Sequence, residues 1–132
     1  MKGSKKQEII NTLKGCIDFE NTDVAQYYEN LRKKGDAIPK GKNFQKVLNF
    51  CNALGNEDRL KILEILREKD CCVCELEAVL NKAQSTISHH LRILENIGII
   101  RGWKKGRFTH YDIIKEKANK YKDLLEDFLE FK

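Results

Sequence analysis

Residues 83–113 read AQSTISHHLRILENIGIIRGWKKGRFTHYDI, and the order of apolar and basic positions in this stretch decides the fold. Its first half has helical periodicity: Ile87, Leu91, Leu94 and Ile97 fall on one face and anchor the segment. Gln84, Ser85, Ser88, His89 and Arg92 fall on the other, an acid-free face of short hydrogen-bonding groups and one guanidinium. A recognition helix needs that composition, because its early residues read base edges while others grip phosphate. Gly98 stops the helix. Two β-rich runs, 99–104 and 107–113, then flank Lys105-Gly106 and predict a hairpin. Arg101, Lys104, Lys105 and Arg107 make it basic, suited to phosphate or minor-groove contact, and Trp103 and Phe108 are expected to pin it to the body. Between Lys82 and Asp112 the only acid is Glu95, which is the electrostatic footprint of a polyanion site.

Outward from this stretch, the neighbouring elements complete the pattern. A short helix over 73–80 precedes it across a tight Asn81-Lys82 connection. Before that, Asn56 can cap a helix whose first turn holds Glu57 and Asp58, with Leu60, Ile62, Leu63, Ile65 and Leu66 on its apolar side. Phe44, Val47, Leu48, Cys51 and Leu54 share a face of one more helix, stopped by Gly55. On the other side, 115–132 is a long amphipathic helix with Ala118, Tyr121, Leu124, Leu125, Phe128 and Leu129 in one stripe. The order is that of a winged helix-turn-helix: mainly α, with one small β-hairpin. Residues 43–132 form this domain. Residues 1–42 read as a helical extension, with helices near 4–13 and 23–34, and a linker over 33–42 that contains Gly35, Pro39 and Gly41.

The chain has 132 residues, 41% apolar and 34% charged, with a formal net charge of +5. A domain this small buries a modest fraction of its surface, so subunit burial is an expected supplement. No stretch approaches the roughly eighteen apolar residues a membrane span needs, and the basic start is followed by no apolar signal core. The five cysteines are an odd count in a chain without a secretory signal. They point to metal or redox chemistry in the reducing cytoplasm rather than to a disulfide scaffold. No nucleophile–base pair, phosphate loop or metal-hydrolase motif appears, so an enzyme is not expected.

Ala53-Leu54-Gly55-Asn56-Glu57-Asp58-Arg59-Leu60-Lys61-Ile62-Leu63 resembles the start of the ArsR/SmtB family of metal-responsive repressors. Gln84-Ser85-Thr86-Ile87-Ser88-His89-His90-Leu91-Arg92-Ile93-Leu94 is similar to that family's recognition helix, which adds Thr86 to the DNA-contact candidates. Gly106-Arg107 through Tyr111 resembles its wing. The likeness implies a homodimer paired through its first and last helices, bound to a palindromic operator in double-stranded DNA and displaced by an inducer. No cofactor is implied for DNA binding itself. One departure stands out: Ala83 occupies the serine cap position, which costs roughly 1 kcal/mol of capping.

Asp70-Cys71-Cys72-Val73-Cys74-Glu75-Leu76 resembles the cysteine-valine-cysteine box of the arsenic and cadmium/lead sensors, with Cys72 and Cys74 on the matching positions. The inducer implied is As(III) or Sb(III), or else Cd(II) or Pb(II). On a regular helix Cys72 and Cys74 lie about 200° apart, so clamping one ion would unwind or re-aim the first turn. Cys71, three residues from Cys74, can converge with it on a helix. The likeness also makes Cys16 a candidate ligand, because cadmium/lead sensors bring N-terminal cysteines to the partner's box. The alternative is a metal-free thiol redox switch using the same cysteines. Cys51, in its helix's apolar stripe, is expected to pack in the core. His89, His90 and His110 are expected to serve DNA contact or structure, and 115–132 has no histidine for the family's zinc site on the last helix.

Overall fold

A computed structural model describes residues 2–16 and 23–131 of the chain, which divides into two units, Met1–Phe44 and Gln45–Lys132. In the first, helices α1 (Lys2–Cys16) and α2 (Val24–Ala37) pack on each other. Asp23 caps α2 by accepting from Ala25 N–H and Gln26 N–H. Lys6 bridges the two helices, with Nζ 2.6 Å from Glu29 Oε1 and 5.4 Å from the Tyr28 ring centre. The linker expected over 33–42 is thus largely helical. Gly35 lies inside α2, and Ile38–Lys40 adds a 3-10 turn with Pro39 in its first turn, where a missing N–H does no harm.

The second unit has the element order expected of the domain: α3 (Phe44–Leu54), α4 (Glu57–Glu68), β1 (Cys71–Cys72), α5 (Val73–Leu80), α6 (Gln84–Asn96), β2 (Ile100–Lys105), β3 (Phe108–Ile113) and α7 (Lys115–Phe128). Asn56 starts α4 by accepting from Arg59 N–H at 3.1 Å. Gly98 at φ +81° ends the turn after α6, and Gly106 at φ +64° forms the hairpin tip, both in the left-handed region that glycine enters without steric cost. One feature is additional to the expected set. Cys71 and Cys72 form a two-residue strand that pairs antiparallel with β3, giving a three-stranded sheet in the order β1-β3-β2.

The core gathers Ile62 and Leu66 of α4, Leu76 and Leu80 of α5, Ile87, Leu91 and Leu94 of α6, and Ile99 and Ile100 at the root of the hairpin. Helix α3 contributes Phe50 and Ala53 to it, and Phe50 stacks on Tyr121 of α7 with ring centres 4.9 Å apart. The buried side of α3 is therefore Val47, Phe50 and Ala53, and Leu48 and Cys51 face outward in the single chain. This corrects the expectation that Cys51 packs in the core. The helix is apolar on two sides, and the chain's own core takes the side without the cysteine.

Candidate DNA-reading face and thiol site

Helices α5 and α6 meet through Asn81, the one described non-glycine residue with positive φ, at +51° in the left-handed conformation. Asparagine tolerates it, and the sharp turn sets α6 across α5. Ala83 caps α6 with no side-chain hydrogen bond, as its methyl group requires. Ile87, Leu91 and Leu94 anchor the helix in the core. Gln84, Ser85, His89 and Arg92 are exposed, and Thr86 and Ser88 are half-buried at the margin. On the wing, Lys104, Lys105 and Arg107 are exposed and carry no carboxylate partner among the described ion pairs. Arg101 differs: its Nε lies 3.0 Å from Asp112 Oδ1 on the paired strand. Trp103 is half-buried, with its ring 5.4 Å from that of His110, but Phe108 is 55% exposed. The Trp103 ring thus packs across the hairpin itself, and the hairpin is joined to the body by Ile100, Tyr111 and Ile113 at the core rather than by Trp103 and Phe108.

His90 lies on the buried side of α6, in a polar network that spacing alone did not reveal. Arg59 donates through Nη1 to His90 Nδ1 at 3.1 Å, so that nitrogen accepts and the proton sits on Nε2, 3.4 Å from Asp58 Oδ2. Arg59 also donates to the carbonyls of Ala53 (2.6 Å) and Asn52 (3.1 Å), and Lys82 Nζ donates to Asp58. The network therefore ties the end of α3, the start of α4 and the turn before α6 to the recognition helix. Burial, followed by the Arg59 charge, lowers the pKa of His90 below its ordinary value, while the hydrogen bond from Lys82 holds the Asp58 carboxyl below its own.

The cysteines separate into distinct settings. Cys71 and Cys72 alternate across β1 as strand neighbours do. Cys71 is only 2% exposed and belongs to the core, with its Sγ 3.7 Å from the Lys69 carbonyl oxygen. Cys72 is the extended N-cap of α5: Glu75 accepts from its backbone N–H at 3.1 Å, and its sulfur takes the reciprocal place in a capping box. Cys74 stands in the first turn, with its sulfur 2.7 Å from that of Cys72. The 200° separation applies to two helical residues. Because Cys72 sits outside the helix, the pair meets with α5 intact, and no unwinding is required. The hydrogen bond to Cys74, with burial second, raises the Cys72 thiol above the ordinary range, and burial does the same for Cys71.

Two adjacent thiol sulfurs are a donor set that fits a soft ion or metalloid. Among the described residues no three of His, Cys, Asp and Glu come together as a metal-holding group, so Cys71 does not join the pair. Cys16 is exposed at the end of α1, in the other unit. Cys72 and Cys74 line a cleft of ≈ 430 Å³ together with Val73, Glu77, Gln84, Arg107, Phe108 and Thr109. His110, opposite Cys72 on β3, holds Asp70 through Nδ1 at 2.7 Å.

An apolar-anchored helix with a polar outer face, set beside a basic hairpin, defines a winged helix-turn-helix DNA-binding protein. Residues 56–101 match the family described as bacterial regulatory protein, arsR family. A cadmium resistance transcriptional regulatory protein CadC homolog from Staphylococcus aureus is 34% identical over 92 residues, covering 69% of this chain and 76% of the relative. The arsenical resistance operon repressor of Bacillus subtilis is 35% identical over 81 residues, covering 61% of this chain and 77% of the relative. Among solved structures, reduced HlyU from Vibrio cholerae superposes with a TM-score of 0.54 at 28% identity, covering 67% of this chain and 94% of that one. The chain belongs to the ArsR family of transcriptional regulators, which are DNA-binding proteins and not enzymes. No helix among the described residues is long and apolar enough to cross a membrane.

Proposed function

We propose that the protein is a homodimeric repressor that leaves its operator when Cys72 and Cys74 bind a thiophilic metal or metalloid. The observation that carries this reading is the 2.7 Å approach of the two sulfurs of residues that line one cleft with Gln84 of α6 and Arg107 of the wing. An occupant there touches both parts that would grip DNA, so occupancy can be converted directly into lost affinity. The relatives named for cadmium and arsenical resistance support an inducer of this class. The exposed Leu48 on α3 and Phe128 and Leu129 at the end of α7 support pairing through these helices.

The test is operator release by arsenite and by cadmium, measured for wild type and for Cys72→Ser and Cys74→Ser under anaerobic conditions. Loss of response in both variants is expected, and a wild-type response in both overturns the reading. The sulfur pair and the reduced HlyU neighbour also favour a second reading, in which oxidation joins Cys72 to Cys74. Release by a disulfide-forming oxidant, with no binding of arsenite or cadmium, would make the redox switch the mechanism.

A further inference from the structure

The lining of the thiol cleft narrows the chemistry of its ligand. Cys72 and Cys74 supply a pair of sulfurs, and among the described residues no further Cys, His, Asp or Glu completes a metal-holding group with them. Soft divalent ions favour fuller coordination by protein ligands, commonly four donors at structural sites. A trivalent metalloid oxyacid makes three bonds in all and arrives with oxygens of its own. The rest of the cleft suits an oxygen. Arg107 offers a guanidinium, Gln84 an amide and Thr109 a hydroxyl, beside the carboxylate of Glu77 and the apolar side chains of Val73 and Phe108. Arg107 is exposed at the wing turn, without a carboxylate partner among the described ion pairs, so its charge is available.

Resting on the inducer reading above, we infer that the cleft takes an arsenite-class oxyacid as a two-thiolate adduct that keeps one of its own oxygens, and that Arg107 holds this oxygen. In forming the adduct, each As–S bond is made as one As–O bond breaks. The thiol proton departs with the hydroxide as water. As(OH)₃ and a pair of thiols thus give one As–OH adduct and two waters, with no change of oxidation state. Arg107 is then shared between two oxygen partners, a phosphate of the DNA backbone and the hydroxyl oxygen of the bound adduct. Engaging one withdraws it from the other, and the wing becomes part of the sensor.

The experiment uses the full chain without DNA. Free thiols are counted with an aromatic disulfide reagent before and after saturation with arsenite, and loss of a single pair per chain is expected. Loss of a third thiol overturns the two-thiolate adduct. Arsenite and cadmium affinities are then followed by thiolate charge-transfer absorbance in Arg107→Met. Arsenite should bind about tenfold more weakly, as for loss of a hydrogen bond from a charged donor, while cadmium affinity stays within about twofold. An unchanged arsenite affinity, or an equal loss for both ligands, overturns the role of Arg107. Cys72→Ser and Cys74→Ser separate the two levels of the argument. If they still bind arsenite like wild type, the inducer reading itself fails; if they lose binding while Arg107→Met keeps it, only the present inference fails.

Discussion

At His90 the recognition helix carries a polar side chain inward, where Arg59 and Asp58 fix its neutral tautomer. That arrangement has a pH signature. Its pKa in the fold lies below the ordinary 6.5, so the unfolded chain takes up the proton first. Its contribution to stability is complete above that value and is lost as pH falls through it towards the lower folded value. Asp58, lowered from 3.8, contributes stability that is present above its ordinary value and lost as pH falls further. Thermal unfolding should therefore be flat between about pH 7 and 8, decline below about 6.5, and decline again below about 4. His90→Gln, whose amide can still donate to Asp58, should remove the first decline and keep the second. A first decline of wild-type size in that variant would assign the proton to another group. The sequence showed His90 on a recognition helix but not its partners, because Asp58 and Arg59 lie about thirty residues earlier and meet it only through packing.

The helix ends show where the chain departs from the best local choice. Ala83 leaves the first amides of α6 without a side-chain acceptor. Ala83→Ser should stabilise the protein by about 1 kcal/mol, read as a rise of several degrees in the unfolding midpoint. No rise would mean that the exposed amides were already satisfied by water at no cost. On the wing, Lys104→Ala and Lys105→Ala should each lower the salt slope of operator binding by about one unit. Arg101→Ala should lower it less, because Asp112 already holds that guanidinium; equal slopes for the three variants would contradict this. The helices and hairpin of the domain were legible because apolar residues recur at three-and-four spacing along each helix, while Asn56, Gly55, Gly98 and Gly106 mark several of the boundaries. Two features were hidden for definite reasons. A strand as short as β1 has no period to detect, and the meeting of Cys72 and Cys74 depends on Cys72 being a cap rather than a helical residue. The orientation of α3 was misread because both of its sides are apolar and only the folded core chooses between them.

For the whole molecule, the surface left apolar in a single chain sets the next expectation. Leu48→Asp and Phe128→Asp should each shift the sedimentation of the protein at micromolar concentration from dimer to monomer, without altering its helical content. Both positions are exposed in one chain, whereas Leu125 packs on the chain's own core and would report on folding instead. A monomeric wild type, or variants that remain dimeric, would remove these helices from the interface. The pairing of β1 with β3 has a further consequence, one of timing. Cys72 and its register partner His110 are 38 residues apart in the chain. At synthesis rates of roughly 5–20 residues per second, β1 waits roughly 2–8 s for the strand that covers it. During that interval Cys71, still uncovered, lies on a pliable chain beside Cys72 and Cys74, and the nascent protein offers three neighbouring thiols where the finished fold offers a pair. A thiophile that grips this newborn trio favours the unfolded chain and holds it there. Refolding from denaturant in arsenite should therefore give a lower yield of native circular dichroism than refolding without it, while the same arsenite added after folding leaves the spectrum unchanged. Equal yields would mean that the newborn chain is no more vulnerable than the mature one.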